Sequence, residues 1–176
     1  PSGKLPTTFP KDYSDVPSWN FPGEPKENPQ RVVYDEGIYV GYRYYDTFGV
    51  EPAYEFGFGL SYTTFEYKGL EVARTDDLVK VSFNVVNNGS LPGKDVAQVY
   101  IRAPKGAIDK PYQELKGFHK TRLLKPGEAE EVEVEIRLKD LSSFDGKSWV
   151  LESGLYEVRV GASSRDIRLT CTFKID

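Results

Sequence analysis

Side-chain chemistry needs a nucleophile, an acid or a base held where burial tunes it, and this 176-residue chain offers few such groups. Paired-carboxylate catalysis requires two carboxyl groups about 5 to 9.5 Å apart, one of them protonated, around a cleft. The available pairs are Asp35 with Glu36, Asp76 with Asp77 and Asp140 with Asp145. Neighbouring acids point apart in extended chain, and all three pairs read as solvated loop acids without the burial that tuning needs. His119 is the single histidine, so neither a triad nor a metal site forms around it without neighbouring ligands, and it reads as an exposed strand residue. Cys171 falls on the apolar side of a terminal alternating run, where a thiol acts as a small hydrophobe. Gly57-Phe-Gly59 lacks the Lys-Ser/Thr of a phosphate loop and reads as a tight turn. Asn88-Gly-Ser90 matches a glycosylation triplet and is first a hairpin or bulge turn signal.

Rings are the remaining resource. Trp19, Phe21, Tyr42, Tyr44 and Tyr45 offer flat faces that stack on sugars, with Arg43 supplying donors to hydroxyls. We take Trp19, Tyr42, Arg43 and Tyr44 as substrate-contact candidates, with packing between domains as the competing and favoured role, because so many exposed rings would make an aggregation-prone patch.

These rings sit in a distinctive first part of the chain. Residues 1 to 67 hold 16 of the 24 aromatics and 8 of the 12 prolines. Disordered segments are poor in aromatics, whereas this arm has large apolar faces with no period that builds a core of its own, so it must lie on another surface. Its prolines exclude a long helix in the first thirty residues. Leu5 to Phe9 reads as a short strand, and Ile38, Tyr39, Tyr42 and Tyr45 have the spacing of a short helix within 34 to 47, weakened by Gly37 and Gly41.

From Thr64 the period becomes two. Val79, Val81, Phe83 and Val85 alternate with polar residues, as do Val132, Val134, Ile136 and Leu138, then Tyr156, Val158 and Val160, and finally Ile167 to Ile175. Residues 95 to 101 are apolar on both faces, the pattern of a central strand, and a phase change near Gly69 marks a bulge. With Leu115 to Leu123 this gives about seven strands, fitting an all-β immunoglobulin-like or fibronectin type III-like sandwich.

Composition narrows the partners. A net charge of −4 and a pI near 5.2 argue against nucleic acid or an anionic membrane. A lone cysteine precludes an intramolecular disulfide framework, and the absence of a signal or membrane-length apolar run leaves cytoplasmic and secreted locations both compatible. The absence of Met, one Cys, 5 Asn and 3 Gln give a thermophilic flavour.

The ordered motifs carry a family resemblance that spans nearly the whole chain. Phe56-Gly-Phe-Gly-Leu-Ser-Tyr-Thr63 resembles the segment leading into the last domain of glycoside hydrolase family 3 enzymes, and Pro1-Ser-Gly-Lys-Leu-Pro-Thr-Thr-Phe-Pro10 resembles the run that closes their second, α/β sandwich domain. Val40-Gly-Tyr-Arg-Tyr-Tyr-Asp46, Val85-Val-Asn-Asn-Gly89, Glu114-Leu-Lys-Gly-Phe118 and Lys125-Pro-Gly-Glu128 follow in order. The resemblance implies that residues 1–64 end an α/β sandwich domain and form an interdomain arm, and that 65–176 form the fibronectin type III-like domain. It further implies a retaining exo-acting β-glucosidase whose catalytic Asp and Glu come from an N-terminal barrel and the α/β domain. Neither matches a position here. The expectation is a structural, cleft-shaping part with no catalytic residue, metal or cofactor of its own, partnered by those upstream domains and meeting β-glucosides through them.

Overall fold

The structure, a computed structural model, describes residues 1–18 and 36–176. Strict two-residue alternation puts one face of each strand against an opposing sheet, and the chain forms a β-sandwich. Strands β1 (Phe65–Arg74), β2 (Leu78–Asn87) and β5 (Ala129–Arg137) make a three-stranded antiparallel sheet in the order β1-β2-β5. Strands β3 (Val96–Arg102), β4 (Glu114–Lys120), β8 (Gly154–Gly161) and β9 (Ile167–Ile175) make the facing sheet in the order β4-β3-β8-β9. A separate ribbon pairs β6 (Ser143–Phe144) with β7 (Trp149–Val150) in the connection from β5 to β8.

The core lies where the alternation places it. Val79, Val81, Phe83 and Val85 of β2 meet Val132, Val134 and Ile136 of β5 on one side, with Ala97, Val99 and Ile101 of β3 and Val158 and Val160 of β8 opposite. Tyr156 stacks on Phe173 at 5.5 Å, and its hydroxyl donates to the Glu152 carbonyl at 2.8 Å. That last bond, from the start of β8 to backbone four residues upstream, is the corner that pins strand entry in many sandwiches of this type. The expected bulge in β1 is present as a register shift between Lys68 and Glu71, which brings Tyr67 and Val72 to the same side.

Four local expectations change. Asn88-Gly89 is not a hairpin turn, because β2 hands over to β3 in the opposite sheet. Gly89 is required there for room, since a Cβ would sit 2.2 Å from Thr63 Oγ1. Leu5 to Phe9 forms no regular strand, but Leu5 and Phe9 exchange backbone hydrogen bonds with Gly57, Phe58, Ala53 and Tyr54. The helix, α1 (Tyr42–Phe48), is shorter than its pattern: Gly41 at φ 58° stands before its first turn and keeps Ile38 and Tyr39 outside it. His119 is half-buried rather than exposed, reaching from β4 to Glu130 of β5 at 2.7 Å.

Part of the arm finds a surface within the chain: Tyr42 and Gly57 lie over the outer face of β3, which explains a central strand that is buried on both sides, with Val99 facing the core and Gln98 and Tyr100 beneath the arm.

Candidate functional site

The densest polar chemistry in the described chain is the junction between arm and sheet. β3 turns Gln98 and Tyr100 outward by the same alternation that turns Val99 inward. The Gln98 amide donates to the carbonyls of Gly57 at 3.2 Å and Ala162 at 2.7 Å, and its oxygen accepts the Tyr100 hydroxyl at 2.5 Å. Gly57 holds φ 80° and passes so close that a Cβ would overlap the Gln98 side chain, so only glycine permits this approach. Tyr42 completes the seat, with its ring 4.8 Å from Phe56 and 5.9 Å from Tyr100 and its hydroxyl accepting the Leu115 N–H at 2.8 Å. Burial raises the pKa of both Tyr42 and Tyr100 above the ordinary tyrosine value, so both stay neutral hydrogen-bonding groups.

A second cluster ties α1 to the turn between β8 and β9. Arg165 donates from Nε to Asp46 Oδ1 at 3.0 Å, from Nη1 to Glu51 at 2.8 Å, and from Nη2 to the carbonyls of Tyr45 and Val50 at 3.0 and 2.7 Å. Gln113 donates to Asp46 Oδ2 at 3.0 Å and to the Ser164 carbonyl at 2.7 Å, while accepting from Arg159 Nε at 2.9 Å. Desolvation pushes the Asp46 carboxyl up, and the bonds from Gln113 and Arg165 oppose that push. Both carboxylate oxygens are engaged by protein donors, which fits a clasp.

A third contact joins Lys4 to Asp95 at 3.2 Å, and Asp95 also accepts the buried Tyr67 hydroxyl at 2.8 Å. Burial, ahead of the neighbouring Asp95 charge, drives the Tyr67 pKa up.

The residues singled out by sequence are scattered. Of the substrate-contact candidates, Tyr42 and Arg43 are committed to partners, Arg43 pairing with Glu114 at 2.7 Å. Tyr44 packs its ring at 5.5 Å from Tyr45 and 5.2 Å from Phe48. Trp19, Phe21 and Asp35 lie outside the described residues. Asp76 and Asp77 are exposed. The Asp140 carboxyl is lowered from its ordinary value by the bond from Arg137, and that of Asp145 by the backbone N–H groups of Ser148 and Lys147. Cys171 is half-buried on β9. Among the described residues no group of three His, Cys, Asp or Glu converges as metal ligands would.

Sequence reasoning missed the junction itself. Gln98 was the available signal, one of only 3 glutamines and set inside the otherwise apolar run 96–101. It also missed two large rings left in the open, Phe144 at 51% and Trp149 at 73% exposure, paired across the β6–β7 ribbon.

Residues 95–164 match the fibronectin type III-like domain. The chain is 43% identical to thermostable beta-glucosidase B of Acetivibrio thermocellus, with 100% of the chain and 24% of that protein covered. It is 41% identical to beta-glucosidase BoGH3A of Bacteroides ovatus, covering 99% of the chain and 24% of that protein. Among solved structures, beta-glucosidase 3B from Thermotoga neapolitana in complex with glycerol superposes with a TM-score of 0.96 at 69% identity, over 100% of this chain and 25% of that one. The GH3 beta-glucosidase of Bifidobacterium adolescentis superposes with a TM-score of 0.92 at 41% identity, over 100% of this chain and 26% of that one. The chain thus spans about a quarter of the length of the relatives it matches, arm and sandwich together. It belongs to glycoside hydrolase family 3, and the portion of that family it represents is the one carrying the fibronectin type III-like domain.

Proposed function

We propose that this chain is the C-terminal part of a retaining exo-acting β-glucosidase that releases terminal non-reducing β-D-glucosyl residues, and that it shapes and supports the cleft while acids on upstream domains break the bond. The observation that carries this reading is the coverage: the whole chain matches proteins named as β-glucosidases, yet accounts for about a quarter of them. The local chemistry agrees with a supporting role, since the buried Asp46 is saturated by Arg165 and Gln113 and the singled-out loop acids Asp140 and Asp145 are solvated and locally bonded.

Within this reading the division falls at 64/65, where β1 begins, and the upstream barrel and α/β domains are the partners of residues 1–64. Tyr42, Arg43 and Tyr44 stand in this reading as substrate-contact residues carried by α1, and Trp19 is a candidate from the sequence alone. The test is hydrolysis of an aryl β-glucoside by the purified chain. No turnover is expected. A rate near that of ordinary enzymes, on the order of 10 per second, lost on replacing an acid of this chain, overturns the proposal.

A further inference from the structure

Phe144 and Trp149 are two exposed rings that the sandwich core does not use. They face each other across the β6–β7 ribbon with centroids 5.6 Å apart and planes inclined at 56°, and among the described residues no sheet covers them. The ribbon under them is held firmly, because Asp145 Oδ1 accepts the N–H groups of Lys147 and Ser148, each at 2.7 Å, and the Asp145 N–H donates to the Ser148 carbonyl at 3.1 Å. Beside the rings lies an open cavity of about 800 Å³, roomy enough for several pyranose units, lined by Trp149, Arg43, Glu114, Lys116, Asp140 and Ser142.

The lining is a row of alternating donors and acceptors. Arg43 pairs with Glu114 at 2.7 Å, Glu114 with Lys116 at 3.1 Å, and Lys116 donates to the Asp140 carbonyl at 2.8 Å. These bonds fix the row in place and leave guanidinium, ammonium and carboxylate capacity unspent.

We propose that the Phe144–Trp149 platform and the adjoining Arg43–Glu114–Lys116 row form a binding site for a β-linked gluco-oligosaccharide, the ring faces stacking on pyranose C–H groups and the row exchanging hydrogen bonds with vicinal hydroxyls. The choice of a glucose-based ligand rests on the family reading above; the platform and the row do not. A covering protein surface suits this site less well, since it would strip water from the six charged side chains that line the cavity beside the two rings. A sugar brings hydroxyls in place of that water, and a pre-formed ribbon lowers the ordering cost of binding.

The test is titration of the 176-residue chain by cellotetraose and, for comparison, maltotetraose, following amide NMR shifts and the part of the tryptophan fluorescence that Trp149→Tyr removes. Saturable cellotetraose binding with Kd on the order of 1 mM is expected, with shifts centred on residues 143–150 and 114–116. Trp149→Ala should weaken it about tenfold or more, corresponding to about 1.4 kcal/mol or more. Phe144→Ala should weaken it less, and Trp149→Tyr should retain it. Thermal melts check that each variant is folded, and Trp149→Tyr carries the test if Trp149→Ala is not. The absence of a saturable shift in a folded chain, or a shift indifferent to Trp149→Ala, overturns the proposal. Maltotetraose binding as tight as cellotetraose overturns the β-linkage. Turnover of aryl glucoside bears on the proposed function alone, so the two failures are told apart.

Discussion

At the scale of single residues, charge placement decides what breaks. Arg165 bonds Asp46, Glu51 and two carbonyls of the arm at once, and Asp46 is nearly buried, with 5% of its side chain exposed. Arg165→Ala therefore leaves a carboxylate without its cation. Breaking a fully buried pair costs about 3 to 5 kcal/mol, and because part of the Arg165 side chain stays in water we expect about 2 to 3 kcal/mol in urea melts. Lysine at the same position should recover only part, since it lacks the planar fork. A second pair, Lys110 with Glu152, sets an acid limit. The Lys110 bond, then the Ala107 N–H, lowers the Glu152 pKa below its ordinary 4.5. This contribution is complete above 4.5 and is lost as the pH falls through the lower folded value. Glu152→Gln should lower stability at about pH 6 and flatten the drop in melting temperature toward about pH 3; an equally steep drop in the variant refutes the pairing. None of these polar partners was legible in the sequence, because a hydrogen bond between Asp46 and Arg165 joins residues 119 apart and leaves no local pattern.

At the scale of elements, period two was enough for the strands and insufficient for the arm. The phase of β5 and β9 was readable because one face of each is dry and the other wet. Phe173 is buried against Tyr156, whereas Glu133 points to solvent and pairs with Lys80 at 2.5 Å. Phe173→Ala should cost about 3 to 5 kcal/mol through lost burial and a cavity, and Glu133→Ala under about 1 kcal/mol. Equal shifts in denaturant midpoint would refute the strand phase. Period failed where backbone geometry intervened. The helical spacing of Ile38, Tyr39, Tyr42 and Tyr45 runs through Gly41, whose positive φ places the start of α1 at Tyr42. The doubly apolar β3 was correctly legible as central, but its outer cover was not, since the arm that supplies it has no repeat to count.

At the scale of the molecule, arm and sandwich are one body of contacts. Hydrogen exchange on the isolated chain should therefore find amides within 36–64 slowed together with the strands, and Arg165→Ala should release the arm before β2 or β5 opens. Fast exchange across 42–58 in the parent chain would contradict the docking described above. The clasp has one further consequence, for the order of synthesis. A ribosome delivers Asp46 long before Arg165, and at 5–20 residues per second the interval is roughly 6 to 24 s for the 119 positions that separate them. During that time Tyr42, Phe56 and their neighbours have been made, but the turn that fastens them has not. The nascent arm can reach its seat on Tyr100 and Leu115 in that interval but stays unfastened, so its exposure to chaperones and to misassociation ends only once the turn between β8 and β9 has emerged.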